Sequence, residues 1–161
     1  MRILIAGVGN IFFGDDGFGP EVSRRIPVHE LPDGVENVDY GIRGLHLAYD
    51  LLAETDSLVL VDAIPDRGEP GHLRSFRVDE SDLVTAEFDP HGMNPLAVLS
   101  LLSPIGARLP PRTIVVGCQA QSIDEGIGLS PAVAAAVDDA VEFVLEEVSL
   151  CASASQGKSY R

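Results

Sequence analysis

The chain of 161 residues has the length of one globular domain, and its 45% hydrophobic and 22% charged residues are ordinary for a globular protein. Its formal net charge of −14 argues against binding to nucleic acid or to an anionic membrane surface, because phosphates would be repelled. Cys118 and Cys151 lie far apart, which argues against a disulfide framework and favours a reducing cytoplasm.

The N-terminal half predicts three strands separated by two helices. Short apolar segments alternate there with helical patterns, which is typical of βαβ units in a largely parallel sheet. The elements expected are a strand at 2–7, a helix beginning near 17–20, a strand at 35–40, a helix, and a strand at 57–63. The first helix should turn Val22 and Ile26 inward. The second should pack through an apolar stripe of Leu45, Leu47, Ala48, Leu51 and Leu52.

The C-terminal half predicts an edge strand, a further strand and two helices. Residues 72–78 alternate between apolar and polar, and the turn before them is too short for a crossover, so this strand should run antiparallel to its neighbour. A helix at 92–103, with Leu96, Leu99 and Leu102 inward, and a strand at 113–119 follow. Ser130 and Pro131 should begin a last helix, whose stripe is Val133, Val137, Val141, Val144 and Val148.

These elements predict a single α/β domain over residues 1–149. The segment 150–161 is small and polar, and we expect it to be a flexible tail. The apolar start of the chain is too short for a signal peptide, and no segment has the length of a membrane span.

Three ionisable side chains follow predicted strands. Asp16 lies in the loop after the first strand, Asp62 ends the third, and His91 precedes the helix at 92–103. Open α/β sheets place their ligand sites at the carboxyl ends of strands. Two carboxylates and one imidazole are suitable donors for a divalent transition metal. The pattern therefore predicts an incomplete metal shell that another molecule completes.

Each of these residues also has a structural interpretation. An aspartate at a helix N-terminus often caps it, and one of Asp15 and Asp16 is expected to do so. Asp62 adjoins an aliphatic strand, where a carboxylate is costly unless it is paired or bound to metal, but it could instead bond the following loop. His91 alone would be read as a capping or surface histidine. The three together favour the functional interpretation.

The glycine-rich loop after the first strand also resembles a dinucleotide-binding turn. Gly7-Val8-Gly9 follows the strand, and Asp39 closes the second strand, where a ribose-binding acid would lie. The position of the third glycine is Phe12, however, and Asp15-Asp16 puts negative charge where a pyrophosphate would bind. A nucleotide-binding module therefore remains an alternative, with no cofactor-binding residues assigned.

Four segments make the chain resemble the maturation endopeptidases of [NiFe] hydrogenases (peptidase family M52). They are Gly7-x-Gly9-Asn10 through Asp15-Asp16-Gly17-x-Gly19, Asp62-Ala63, Asp89-Pro90-His91, and Gly117 followed by Gly126-Ile127-Gly128-Leu129-Ser130. They occur in family order across residues 1 to about 148, and their combination is specific.

The resemblance implies a three-layer α/β/α sandwich around a five-stranded, mostly parallel sheet with one antiparallel edge strand. It implies an endopeptidase that removes the C-terminal extension of a hydrogenase large-subunit precursor after nickel insertion. The family's metal-contacting and catalytic residues carry over onto Asp16, Asp62 and His91. The nickel is delivered in the precursor, and no tightly held metal is expected in the free enzyme.

Two features bear on the match to the family pattern. The loop acid, which is glutamate or aspartate in the family, is here the shorter aspartate, Asp16. The segment after the second strand, often Gly-Gly followed by Thr, reads Gly41-Ile42-Arg43-Gly44-Leu45, which bears on which precursor is accepted. The expected partner is the precursor, the expected state is a monomer in the cytoplasm, and the remaining alternative is a nickel-escorting chaperone without catalysis.

Overall fold

The computed structural model describes residues 1–84 and 94–157, and these contain one five-stranded sheet in the order β2-β1-β3-β5-β4. Neighbouring strands from β2 to β5 run parallel, and β4 pairs antiparallel with β5. The strands are β1 (Ile3–Val8), β2 (Val35–Gly41), β3 (Ser57–Ile64), β4 (Leu73–Val78) and β5 (Arg112–Gln119). β1 and β3 are central and almost wholly buried, because their near-continuous apolar sequences can face helices on both sides.

Helices cover both faces of the sheet. They are α1 (Phe18–Arg25), α2 (Gly44–Asp50), α3 (Glu80–Val84), α4 (Pro95–Leu99), α5 (Pro131–Ala134) and α6 (Val137–Gln156). One apolar core joins the sheet to α1, α5 and α6, and the other joins it to α2 and α4. The predicted α/β/α sandwich with one antiparallel edge strand is confirmed.

The edge strand β4 does not pair with the strand that precedes it in the chain. β4 follows β3 in the chain, but its hydrogen-bonded neighbour is β5, which lies between them. The connection between β3 and β4 therefore passes over the end of β5. Gln119 at the end of β5 holds that connection in place, because its buried side-chain oxygen accepts the backbone N–H groups of Arg67 and Glu69.

Helix boundaries were predicted less well than strands. The helix predicted at 92–103 is α4, which spans only Pro95–Leu99; residues 92 and 93 lie outside the described residues. The last helix is divided into α5 and α6 at residues 135–136. In α2, Leu47, Ala48 and Leu51 are buried as expected, but Leu45 and Leu52 are about half exposed.

The prediction of a flexible tail from residue 150 is wrong for its first part, because α6 continues to Gln156. Cys151 extends the buried stripe beyond Val148. The hydroxyls of Ser149, Ser153 and Ser155 each donate to the carbonyl four residues earlier, so these polar residues are accommodated within the helix. Across the described ranges, no helix combines the length and apolarity needed to cross a bilayer.

Glycines bring α1 unusually close to the sheet. A Cβ atom at Gly19 would overlap the carbonyl oxygens of Val8 and Val61, so only glycine fits between α1 and strands β1 and β3. Gly9, at φ +138°, packs in the same way against the backbone of Asp16. The loop between β1 and α1 is thereby held down on the carboxyl edge of the sheet, directly beside β3.

Candidate active site

Asp16 is presented by a short 3-10 helix, Gly14–Gly17, that links β1 to α1. Its side chain is half-buried, and its Oδ2 accepts the backbone N–H of Asn10 at 2.8 Å. Asn10 in turn accepts the backbone N–H of Phe12 through its side-chain oxygen at 3.0 Å. Burial raises the pKa of Asp16, while the Asn10 bond acts in the opposite direction. Asp16 does not cap α1 with its side chain.

Asp62 lies in β3, opposite Gly117 of β5, and is only 5% exposed. Both neighbours in the strand, Val61 and Ala63, are fully buried. Burial is the main reason that the pKa of Asp62 is well above its ordinary value, and the negative charge of Asp16 raises it further. The backbone N–H of Ala63 favours the ionised form but does not offset these effects.

The structure thus brings two of the three predicted donors into electrostatic contact at the carboxyl edge of the sheet. Two partly desolvated carboxylates that repel each other share a proton readily or are stabilised by a cation between them. Their hard oxygen atoms fit a divalent metal. His91 lies outside the described residues. Within 1–84 and 94–157 there is no cluster of three potential metal-binding side chains, so a cation at the acid pair would need further ligands.

Asp15 has a different role, which the sequence did not reveal. It is completely buried and accepts four hydrogen bonds, from the backbone N–H groups of Gln121, Ser122 and Ser130 and from the Ser130 hydroxyl, at 2.7–3.0 Å. Desolvation acts to raise its pKa, but these bonds outweigh it and the pKa of Asp15 is lowered. Asp15 is therefore an ionised residue that links two loops through hydrogen bonds, and it is not suited to accept a proton.

Ser130, a partner of Asp15, also has a role that the sequence did not indicate. It occupies the N-cap position of α5, as predicted, yet it forms no side-chain cap. Its hydroxyl donates instead to Asp15 at 2.8 Å. The partners of Asp15 lie 106 to 115 residues away in sequence, so no local pattern could have identified it.

Arg43 follows β2 at the same edge of the sheet. Its guanidinium donates to the backbone carbonyls of Tyr40 and Asp39, at 3.2 and 2.9 Å. These bonds close the turn between β2 and α2. The positive charge of Arg43 is thus partly used to stabilise its own loop.

The loop after β1 leaves little space for the pyrophosphate of a nucleotide. A Cβ atom at Gly9 would overlap the Asp16 carbonyl, so the turn is already closed against Gly9 by its own backbone. Asp39, the candidate ribose-binding acid, accepts the backbone N–H of Gly41 at 3.0 Å. The close approach of helix to strand that a third glycine would provide is made by Gly19.

Comparison with known proteins identifies the family. The family model HycI, described as hydrogenase maturation protease, matches residues 20–147. The chain belongs to the hydrogenase maturation protease family. The predicted resemblance and the predicted peptide-bond hydrolase are therefore confirmed at the level of this family.

Individual relatives of this protease agree with that assignment. A putative hydrogenase maturation protease of Methanocaldococcus jannaschii is 38% identical over 151 residues, covering 91% of this chain and 96% of the relative. The hydrogenase 2 maturation protease of Escherichia coli is 36% identical over 148 residues, covering 90% and 89%. The solved structure of the E. coli hydrogenase maturating endopeptidase HybD superimposes with a TM-score of 0.75 at 36% identity, covering 92% of this chain and 93% of that one.

Proposed function

We propose that this protease removes the C-terminal extension of a [NiFe] hydrogenase large-subunit precursor after nickel insertion. In this proposal the nickel held by the precursor is recognised by Asp16, Asp62 and His91. The observation that carries it is the coupled, partly desolvated pair Asp16 and Asp62 at the carboxyl edge of the sheet. Repulsion between these carboxylates favours a cation arriving with the substrate.

The chemistry assigned to the chain follows from the same pair. Nickel, as part of the substrate, fixes the scissile bond next to the carboxylates, and it also has the chemistry to act as a Lewis acid on the peptide carbonyl. A water molecule beside the acids attacks the carbonyl carbon. The carboxylates of Asp16 and Asp62 can accept the proton of this water and return it to the peptide nitrogen as the C–N bond breaks, which releases the C-terminal peptide.

Several accompanying properties belong to this proposal. The free enzyme holds no tightly bound metal, and the precursor is its protein partner. The enzyme acts as a monomer and binds neither nucleic acid nor membranes. The cytoplasm is the expected compartment, and the two buried, free cysteines Cys118 and Cys151 support it.

The test is to incubate the purified protein with nickel-loaded and with nickel-free precursor and to measure the products by mass spectrometry. Wild-type protein should release a C-terminal peptide only from the nickel-loaded form. Asp62→Asn and His91→Ala should abolish release, whereas Asp33→Asn, at an exposed aspartate, should leave it unchanged.

The other outcomes identify the alternatives. Retention of the intact precursor together with transferred nickel would indicate a chaperone instead of a protease. Calorimetric binding of NAD(P) or ATP would support the nucleotide-binding module, and the protease proposal predicts none. Wild-type rates of cleavage by Asp62→Asn would refute the assignment of the acid pair.

A further inference from the structure

Two loops beside the acid pair expose a group of large apolar side chains. Phe12 is 57% exposed, Phe13 is 44% exposed and Ile127 is 78% exposed. We call the surface that they form the apolar platform; its members are Ile11, Phe12, Phe13, Ile123 and Ile127. Clustered exposure of this kind on a protein surface indicates an interaction site, whereas single exposed apolar residues do not.

Backbone pairing joins the two loops that carry the platform. Phe13 and Gly126 form a parallel bridge, in which the N–H of Gly126 donates to the carbonyl of Phe12 and the N–H of Gly14 donates to the carbonyl of Gly126. Ile11 and Ile127 both line one cavity of about 310 Å³. The two loops that expose these side chains are therefore neighbours in space although they are far apart in sequence.

The platform is rigidly attached to the candidate active site. Asp15 fastens the second loop from inside through its four hydrogen bonds. Asp16 donates its backbone N–H to Phe13 and accepts the N–H of Asn10 with its carboxylate. The turn that presents the two phenylalanines is thus closed by the acid that is proposed to meet the nickel.

The charges around the platform are acidic. Asp124 and Glu125 are exposed between Ile123 and Ile127 on the second loop. Arg24 and Arg25, which also line the cavity, are both paired with Glu21. The whole chain carries a net charge of −14. A partner for this surface should therefore combine apolar side chains with basic ones.

We propose that the apolar platform docks the substrate precursor, through a segment of it that bears apolar and basic side chains and lies apart from the nickel. This inference rests on the proposed function, because it takes the precursor as the protein that meets this edge of the sheet. Docking on the platform brings the precursor to the acid pair, while nickel recognition decides whether cleavage follows. The two events use different residues and are separable.

The first measurement compares two matched double variants. Phe12→Ser/Phe13→Ser removes the aromatic part of the platform. Val28→Ser/Leu52→Ser removes two side chains of similar exposure in the segments that precede β2 and β3. The platform variant should raise KM for nickel-loaded precursor about tenfold or more, as the loss of buried aromatic contacts does at protein interfaces, with kcat within about twofold of wild type. The control should match wild type in both.

The second measurement uses nickel-free precursor and direct binding. Wild type and Asp62→Asn should bind it with equal affinity, and the platform variant should bind it about tenfold more weakly. Asp124→Asn/Glu125→Gln should weaken binding at low salt, and its affinity should depend less on salt than that of wild type. If the platform variant is not folded by circular dichroism, Ile127→Ser at a more exposed position replaces it.

The outcomes separate this inference from the proposed function. Unchanged KM in the platform variant, or a loss confined to kcat, would overturn the docking role while leaving the protease intact. Failure of wild type to cleave any nickel-loaded precursor would defeat the proposed function. In that case, binding of nickel-free precursor that the platform variant loses would still support docking, and no binding by wild type would overturn it.

Discussion

Adjacent aspartates in one turn, Asp15 and Asp16, have opposite electrostatic environments. Asp15 is surrounded by hydrogen-bond donors and its pKa is lowered, whereas Asp16 has one backbone donor and its pKa is raised. The first is ionised and holds two loops together. The second, with Asp62, remains electrostatically unsatisfied. A site that is to receive a cation gains from this division, because a rigid frame keeps the repelling carboxylates in place.

Asp62→Asn is expected to stabilise the free protein at neutral pH. Burial and the charge of Asp16 raise the pKa of Asp62, so the folded state prefers the protonated acid and ionisation at neutral pH opposes folding. The amide removes that cost, and the free energy of unfolding should increase by roughly 1–3 kcal/mol. Urea unfolding measures it. The stability gain of the variant over wild type should be largest above the raised pKa of Asp62. It should shrink as the pH falls toward the ordinary value of 3.8, because the wild-type acid then becomes neutral in the folded and the unfolded states.

Asp15→Ala, in contrast to Asp62→Asn, is expected to destabilise the protein. It leaves the donors of Gln121, Ser122 and Ser130 without their acceptor, and the free energy of unfolding should fall by roughly 2–4 kcal/mol. The lowered pKa means that this contribution is present above pH 3.8 and is lost only as the pH falls through the folded-state value. Denaturant unfolding from pH 7 to pH 3 measures it. Equal destabilisation by Asp33→Ala, at an exposed site, would contradict the argument.

At the residue scale, sequence reasoning found groups whose signal is local and missed those whose partners are distant. Asp62 was identifiable because it interrupts an aliphatic strand near its carboxyl end, and Asp16 because it follows such a strand. Asp15 looked equivalent to Asp16, and only the fold brings Ser130 to it. The exposed phenylalanines at 12 and 13 gave no local signal either, because an apolar residue in a loop can equally be buried by another segment.

Gly19→Ala is the prediction that belongs to the contact between α1 and the sheet. Alanine improves helix propensity by up to about 1 kcal/mol. Its Cβ atom, however, would overlap the carbonyl oxygens of Val8 and Val61, and these strand backbones cannot yield. The net effect should be a loss of roughly 2–4 kcal/mol in the free energy of unfolding. Gly157→Ala is the control: it lies at φ −68° with its nearest atom 3.8 Å away, and it should change stability by less than about 0.5 kcal/mol.

Strands were predicted to within a residue or so, whereas helices were not, and the reason is physical. A strand in this sheet is marked by a short, dense apolar sequence that ends at a turn. The final helix is interrupted at residues 135–136 although its valine spacing continues. The sequence did not predict this break, because a regular apolar stripe indicates which residues are buried and not whether the helix backbone is continuous. Its extension to Gln156 depends on small polar residues that are weak helix signals and that bond back to their own helix.

For the whole molecule, the acid pair predicts stabilisation by metal in the absence of substrate. A cation that binds the folded state alone adds RT ln(1 + [L]/Kd), which is about 2.7 kcal/mol at 100 times Kd. For a domain of this size Tm should then rise by about 5–10 °C. Thermal unfolding with and without millimolar Ni²⁺, reversed by chelator, measures the effect.

Variants and pH locate that stabilisation. Asp62→Asn and His91→Ala should reduce the rise in Tm, whereas His29→Ala, at an exposed histidine, should retain it. Protons compete with the metal for the pair, so the rise should diminish as the pH falls through the raised pKa of Asp62. An equal rise in wild type and Asp62→Asn would show that nickel binds elsewhere, and the carboxylates at the edge of the sheet would then lose their proposed role in recognising the metal.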